Sequence, residues 1–316
     1  MNSSIKKIAS YSILVLILIL FVNYLYHHTT EFKETSLTNP LWIIPLIIIF
    51  LLNYIFVGIQ TKAILEPFGI KLKTMELYML SIVTGFYNII TPARGGTGIK
   101  AVYLKKKHNF AYTKFLATLT GTYILIFFIS SLFGLISLLF IYKFYNVFNS
   151  TILLLFLGIF ISSTLIILFS PNFKEARYGW LNHFIKVANN WNIIRRNKGV
   201  LFTYAVVTIL SLLISITNTI ISYYIFGIHI SFIQALFLTC IGSISVLIQI
   251  TPGNLGVGEA IAVFSALIIG ITPAQSLPVA IFGRIVQMIV LFTLGPIFSY
   301  ILFKHKPKKE EDEKHT

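Results

Sequence analysis

Ile90-Thr91-Pro92-Ala93-Arg94-Gly95-Gly96-Thr97-Gly98 closes one apolar run of this chain, and Ile250-Thr251-Pro252-Gly253-Asn254-Leu255-Gly256-Val257-Gly258-Glu259-Ala260 closes another. The runs themselves, 75–91 and 232–251, are long enough to enter a bilayer. Proline lacks the amide proton a helix interior needs, and it disfavours a helical residue ahead of it. Each run must therefore break at its Thr-Pro pair. Two interrupted membrane helices are predicted.

The composition around these stretches fits no soluble domain. Of 316 residues, 56% are apolar and 11% charged, and the mean hydropathy is +0.85; soluble domains hold about 45–50% apolar and about 25% charged residues. The net charge of +15 would suggest nucleic acid in a soluble chain. Here the basic residues sit in short loops between apolar runs, as the positive-inside bias requires, and no nucleic-acid partner is expected. Cys240 stands alone and Asp312, the single aspartate, lies in the tail. A disulfide, a multi-cysteine metal site and a paired-aspartate centre are thereby excluded, and no cofactor is expected. Gly96-Thr97-Gly98-Ile99-Lys100-Ala101 matches a degenerate dinucleotide fingerprint but follows a membrane helix rather than a strand, so it is rejected.

A crossing needs about 20 apolar residues. Six runs qualify, at about 8–26, 41–60, 115–141, 151–170, 200–226 and 275–303. No small-residue cleavage site follows the first, so an uncleaved span is expected there. Lys71 and Lys73 precede the first interrupted run and Lys105, Lys106, Lys107 and Lys114 follow it. Both flanks are basic, so this run reads as a re-entrant hairpin that returns through 97–108 on the cytoplasmic side. Lys62, the 174–198 loop and the 304–309 cluster fall inside on the same count, as do both termini. The second hairpin begins near Gly227–Ser231 on the outside and returns by about Gly270.

Phe68-Gly69-Ile70 recurs as Phe226-Gly227-Ile228, 158 residues on, and Ile90-Thr91-Pro92 recurs 160 residues on. The predicted fold is all-α: six full spans and two broken hairpins arranged as two inverted repeats, an architecture many secondary transporters use. It forms a single membrane domain over 1–303, with half one at about 41–141 and half two at about 200–303. Span 151–170 and a basic loop, 171–199, join them, and a charged, disordered tail follows at 304–316. Within the loop Trp180, Phe184, Val187, Trp191 and Ile194 share one helical face, which suits either the inner membrane surface or packing against the bundle.

Charges at membrane depth are costly and mark candidate sites; Arg94, Lys100, Glu259 and Arg284 qualify. Arg94, with the amides of a helix starting near Gly95 or Gly96, could form an anion site for a lipid phosphate, or Arg94 could snorkel to the interface. Glu259 could pair with Arg284 or hold a proton, a cation or a lipid amine. Asn88, Gln249 and Asn254 flank the breaks, where they could bind a head group or satisfy backbone freed by the prolines. Thr91, Pro92, Thr251, Pro252, Gly253 and Gly256 make the breaks.

The pattern Asn88…Pro92-Ala93-Arg94-Gly95-Gly96, with Pro252-Gly253-x-x-Gly256-x-x-Glu259-Ala260 and Gly270…Ala280…Arg284, resembles the lysylphosphatidylglycerol synthase transmembrane, or flippase-like, family over about 40–300. The resemblance implies a membrane unit that moves a lipid between leaflets, with Arg94 and Glu259 as site residues. Better-known members carry a soluble aminoacyl-transferase domain. The chain runs only 16 residues past Tyr300, so neither that domain nor its activity is expected. Gly121 stands roughly where Arg284 stands in the other half, so the halves are expected to differ chemically.

The function expected is translocation of a phosphate-bearing lipid in the cytoplasmic membrane. Two rivals are a membrane-embedded lipid-phosphate transferase with Glu259 as base, and an anchor that holds a soluble lipid-modifying enzyme through the 171–199 loop.

Overall fold

The computed structural model describes residues 36–174, 179–249 and 251–304. Among them ten α-helices and several short 3-10 turns are found, and no strand. The helices are α1 Ile43–Leu65, α2 Thr74–Ile90, α3 Gly95–His108, α4 Tyr112–Tyr145, α5 Ser150–Leu168, α6 Gly179–Arg196, α7 Lys198–Tyr224, α8 Phe232–Ile244, α9 Val257–Ile268 and α10 Pro273–Lys304. Five stretches are long and apolar enough to cross a membrane: Pro40–Phe68, Tyr112–Tyr145, Ser150–Leu168, Lys198–Tyr224 and Pro273–Lys304. The protein is a helical, multi-pass membrane protein. Of the six predicted spans, 8–26 lies outside the described residues, as do 305–316 of the tail.

Thr91-Pro92 stops α2. By contrast, α8 already ends at Ile244 and passes through a 3-10 turn, Ser245–Ile248, before it reaches Thr251-Pro252. The second break thus begins earlier than the expected 232–251 run allows. Thr91 is extended at φ −118°, ψ 142°, and Thr251 at φ −79°, ψ 154°. The turns that follow, Pro92–Arg94 and Pro252–Asn254, repeat one another in backbone conformation. Ala93 and Arg94 have φ of 51° and 58°, and Gly253 and Asn254 have φ of 58° and 60°. Two successive left-handed residues lead directly into α3, whereas an extended Leu255 and Gly256 at φ 80° intervene before α9. The first hairpin is closely packed, since a Cβ on Gly96 would collide with the Thr84 carbonyl.

Helices α1–α4 and α7–α10 each run as a span, two shorter arms and a second span. α2 lies on α10 as α8 lies on α4, α4 touches α7 as α10 touches α1, and the two turns touch each other. At the centre α1 runs antiparallel to α7. Thr38 and Asn39 donate to the Ile225 carbonyl, Asn53 bonds Ser215 and Ser211 at 3.0 Å each, and Gln60 bonds Thr208 at 3.2 Å. Such inter-helical bonds contribute about 0.6 kcal/mol each within a membrane and fix the register.

The helix predicted in the basic loop is α6, and it packs against α4. Trp191 and Ile194 are buried, whereas Phe184 on the same stripe is exposed. Arg195 donates to the carbonyls of Ile167, Leu168 and Ser170 at 2.7–3.1 Å. Arg195 thereby satisfies the free C-terminal carbonyls of α5.

Candidate functional site

Arg94 leaves the first break in the left-handed conformation, and its side chain reaches α4. Nη1 donates to the Tyr123 hydroxyl at 2.8 Å, and the guanidinium carbon lies 5.5 Å from that ring's centroid, within cation–π range. Its Nε is buried with no hydrogen-bond partner. One and a half turns along α3, Lys100 Nζ donates to Thr61 Oγ1 at 2.8 Å. Both cations face one cavity of about 210 Å³, walled by α1, α3 and α4 with Thr84 of α2, Tyr204 of α7, Ser243 of α8 and Val246 just after it. No carboxylate lines this cavity, and among the described residues neither cation makes an ion pair. Thr84, Thr97, Thr118 and Thr122 add hydroxyls to its wall.

In the other half the charges satisfy each other. Arg284 Nε pairs with Glu259 Oε1, and its Nη1 donates to the Gly253 carbonyl. The second Glu259 oxygen accepts from the Gly256 amide at 2.7 Å, which also caps the start of α9. The pair therefore clamps α10 to the second break. Arg94 and Asn254 each hold the last left-handed position of their turns. Gly121 makes room for the Trp191 ring. One break presents a cation to a cavity; the other is locked by an internal ion pair.

The remaining expected residues are placed as follows. Asn88 Oδ1 accepts from the Thr97 amide at 3.3 Å, so it satisfies backbone that the break exposes. Gly95 sits beneath Thr91 and Gly96 against Thr84, which assigns both to hairpin packing. Asn254 is buried with its Oδ1 unpartnered. Gln249 lies half-buried just ahead of Thr251. Thr61, Tyr123 and Tyr204 belong to the cation-lined cavity and were not singled out from sequence. The signal for them was hydroxyl side chains inside otherwise apolar spans, which need partners in a membrane.

Residues 7–295 match a family model described as the lysylphosphatidylglycerol synthase TM region. No curated protein and no solved structure matches the chain.

Proposed function

From a chain that belongs to the family of the lysylphosphatidylglycerol synthase TM region, we propose a translocator that carries a lipid with an anionic, phosphate-bearing head group between leaflets of the cytoplasmic membrane. The observation that carries this reading is the pair of unneutralised cations, Arg94 and Lys100, on one cavity. An unpaired cation out of water costs several kcal/mol, and a phosphate between these two would offset that cost through charge-assisted hydrogen bonds. The Arg94 Nε without a partner is one donor such a phosphate would take. Glu259, the base a transferase would need, is engaged by Arg284 and the Gly256 amide, which weighs against lipid chemistry in this unit.

The transport geometry in this proposal is an inverted repeat. Its support is the antiparallel pairing of two corresponding helices, α1 and α7, centred on Asn53. A two-fold relating antiparallel spans runs perpendicular to them, hence within the membrane plane. The two breaks touch each other and so sit near that axis. Rocking of one half against the other would expose the cation-lined cavity to each side in turn.

Translocation in proteoliposomes, with head-group-labelled phosphatidic acid, phosphatidylglycerol and phosphatidylcholine, tests the proposal. Wild type is expected to move the anionic lipids, and Arg94→Ala and Lys100→Ala to slow them about tenfold or more, since charged hydrogen bonds are worth about 1.5–3 kcal/mol. Equal movement of all three lipids, or anionic transport untouched in both folded variants, would sink it.

A further inference from the structure

The second half contains a cavity of its own, of about 230 Å³, between α7, α8, α9 and α10. It adjoins the cation-lined cavity across residues 242–246 and extends toward the other end of the α1–α7 pair. That first cavity meets α7 at Tyr204 and this one meets it at 218–223, on opposite sides of the Asn53 crossing. Its wall carries Asn218, Thr219, Ser222, Ser245, Ser265 and Ser276, and no residue of either charge.

The serine and threonine hydroxyl protons of this wall, which also includes Tyr223, are directed away from the space. Ser222 donates to Asn218, Ser245 to Gly242, Ser265 to Ile261 and Ser276 to Thr272, each to a carbonyl of its own chain segment at 2.6–3.0 Å; Thr219 does the same toward Ser215 at 3.0 Å. A hydroxyl whose proton is engaged keeps its lone pairs as acceptors. Four helical segments therefore converge on one neutral, acceptor-rich space, to which the Asn218 amide adds donors. A phosphate would meet oxygen lone pairs and no cation. An ammonium would meet no counter-charge, since Glu259 on the adjoining turn is held by Arg284. A neutral ligand that donates several hydrogen bonds fits both conditions.

We propose that this cavity is a separate binding site for an uncharged, hydroxyl-rich group, a polyol or a sugar carried by a lipid. The inference rests on the translocator reading for the ligand's being a lipid. It adds that the cargo's head group has a hydroxyl-bearing part, and that the path is chemically unequal at its two ends: cationic at one, neutral and hydroxyl-lined at the other.

The test is binding by the full chain in phosphatidylcholine nanodiscs, read by native mass spectrometry. The probes are glucosyl diacylglycerol, diacylglycerol and phosphatidic acid. Wild type is expected to retain the glucosyl lipid over diacylglycerol. Ser265→Ala with Ser276→Ala should weaken that retention roughly tenfold by removing two acceptors, and Ala262→Leu should abolish it by filling the space, while both leave phosphatidic acid bound. Arg94→Ala should do the reverse. Equal retention of glucosyl lipid and diacylglycerol by wild type overturns the proposal. So does glucosyl binding unchanged in both the serine pair and Ala262→Leu, or phosphatidic acid lost alongside it in the serine pair. Phosphatidic acid retained by Arg94→Ala, with the serine pair behaving as expected, would refute the anionic site and leave this one standing.

Discussion

Ala93 and Gly253 occupy the same left-handed position of two equivalent turns, yet only one of them is glycine. For a residue with a Cβ that conformation costs about 1–2 kcal/mol, so Ala93→Gly should raise the thermal midpoint of the detergent-solubilised protein by an amount worth about 1 kcal/mol. Gly253→Ala should lower it by about 2 kcal/mol or more. It adopts the same cost, and its Cβ would stand 3.2 Å from the Ile89 Cα and 3.3 Å from Arg284 Nη1. Midpoints that move together in one direction would show that the two turns are not energetically equivalent. At this scale the sequence exposes charge better than it exposes polarity. Arg94, Lys100, Glu259 and Arg284 stand out because a charge at membrane depth is rare. Tyr123 and Thr61, which hold the two free cations, are ordinary residues in apolar helices until the fold brings them together.

At the scale of elements, the break at Thr91-Pro92 and both returning arms were legible because proline acts through the local backbone, whatever surrounds it, whereas the earlier end of α8 at Ile244 was not. The 158–160-residue spacing of short matches was legible too; the starts of α1 and α7, α2 and α8, α3 and α9, and α4 and α10 lie 155–162 residues apart. The destiny of α6 was not legible, since its apolar stripe suits a membrane surface or a bundle equally, and only Gly121 opposite Trp191 decides between them. The open end of the first hairpin was also missed. There Glu76 of α2 accepts hydrogen bonds from Tyr103 at 2.6 Å and from His108 at 3.1 Å, and pairs with Lys107 at 3.1 Å, tying α2 to the end of α3. Burial pushes its carboxyl up, but the bonds from Tyr103, His108 and Lys107 outweigh burial and hold it at about 2, below the ordinary 4.5. With the folded value depressed, this contribution is fully present above about pH 4.5 and is lost as pH falls toward 2. The thermal midpoint should therefore decline on acidification below pH 4.5 more steeply in wild type than in Glu76→Gln. Parallel declines would mean that the latch contributes nothing to stability.

For the whole molecule, what matters is which loops share a side of the membrane, because the proposed re-entrant hairpins and inverted halves depend on it. Between the starts of α1 and α7 the chain makes three crossings, α1, α4 and α5, provided that α2 and α3 return to the side they left. An odd number sets α7 antiparallel to α1, in agreement with the Asn53 to Ser211 and Ser215 bonds. The same count puts the loop after α3 on the side of Lys62 and of α6, and the loops after α4 and α7 on the other. Cys240 is fully buried, and its replacement by serine gives a background for single-cysteine labelling. Asn109, Asn146 and His229 are exposed at the ends of α3, α4 and α7, whereas the neighbouring Phe110 is buried and would report poorly. In intact cells an impermeant maleimide should label Asn146→Cys and His229→Cys, and should reach Asn109→Cys only after the membrane is opened. Labelling of Asn109→Cys from outside would mean that the first hairpin crosses. α1 and α4 would then lose the geometry that sets the cation-lined cavity and the neutral one on opposite sides, and the translocation path drawn through the two breaks would fail with it.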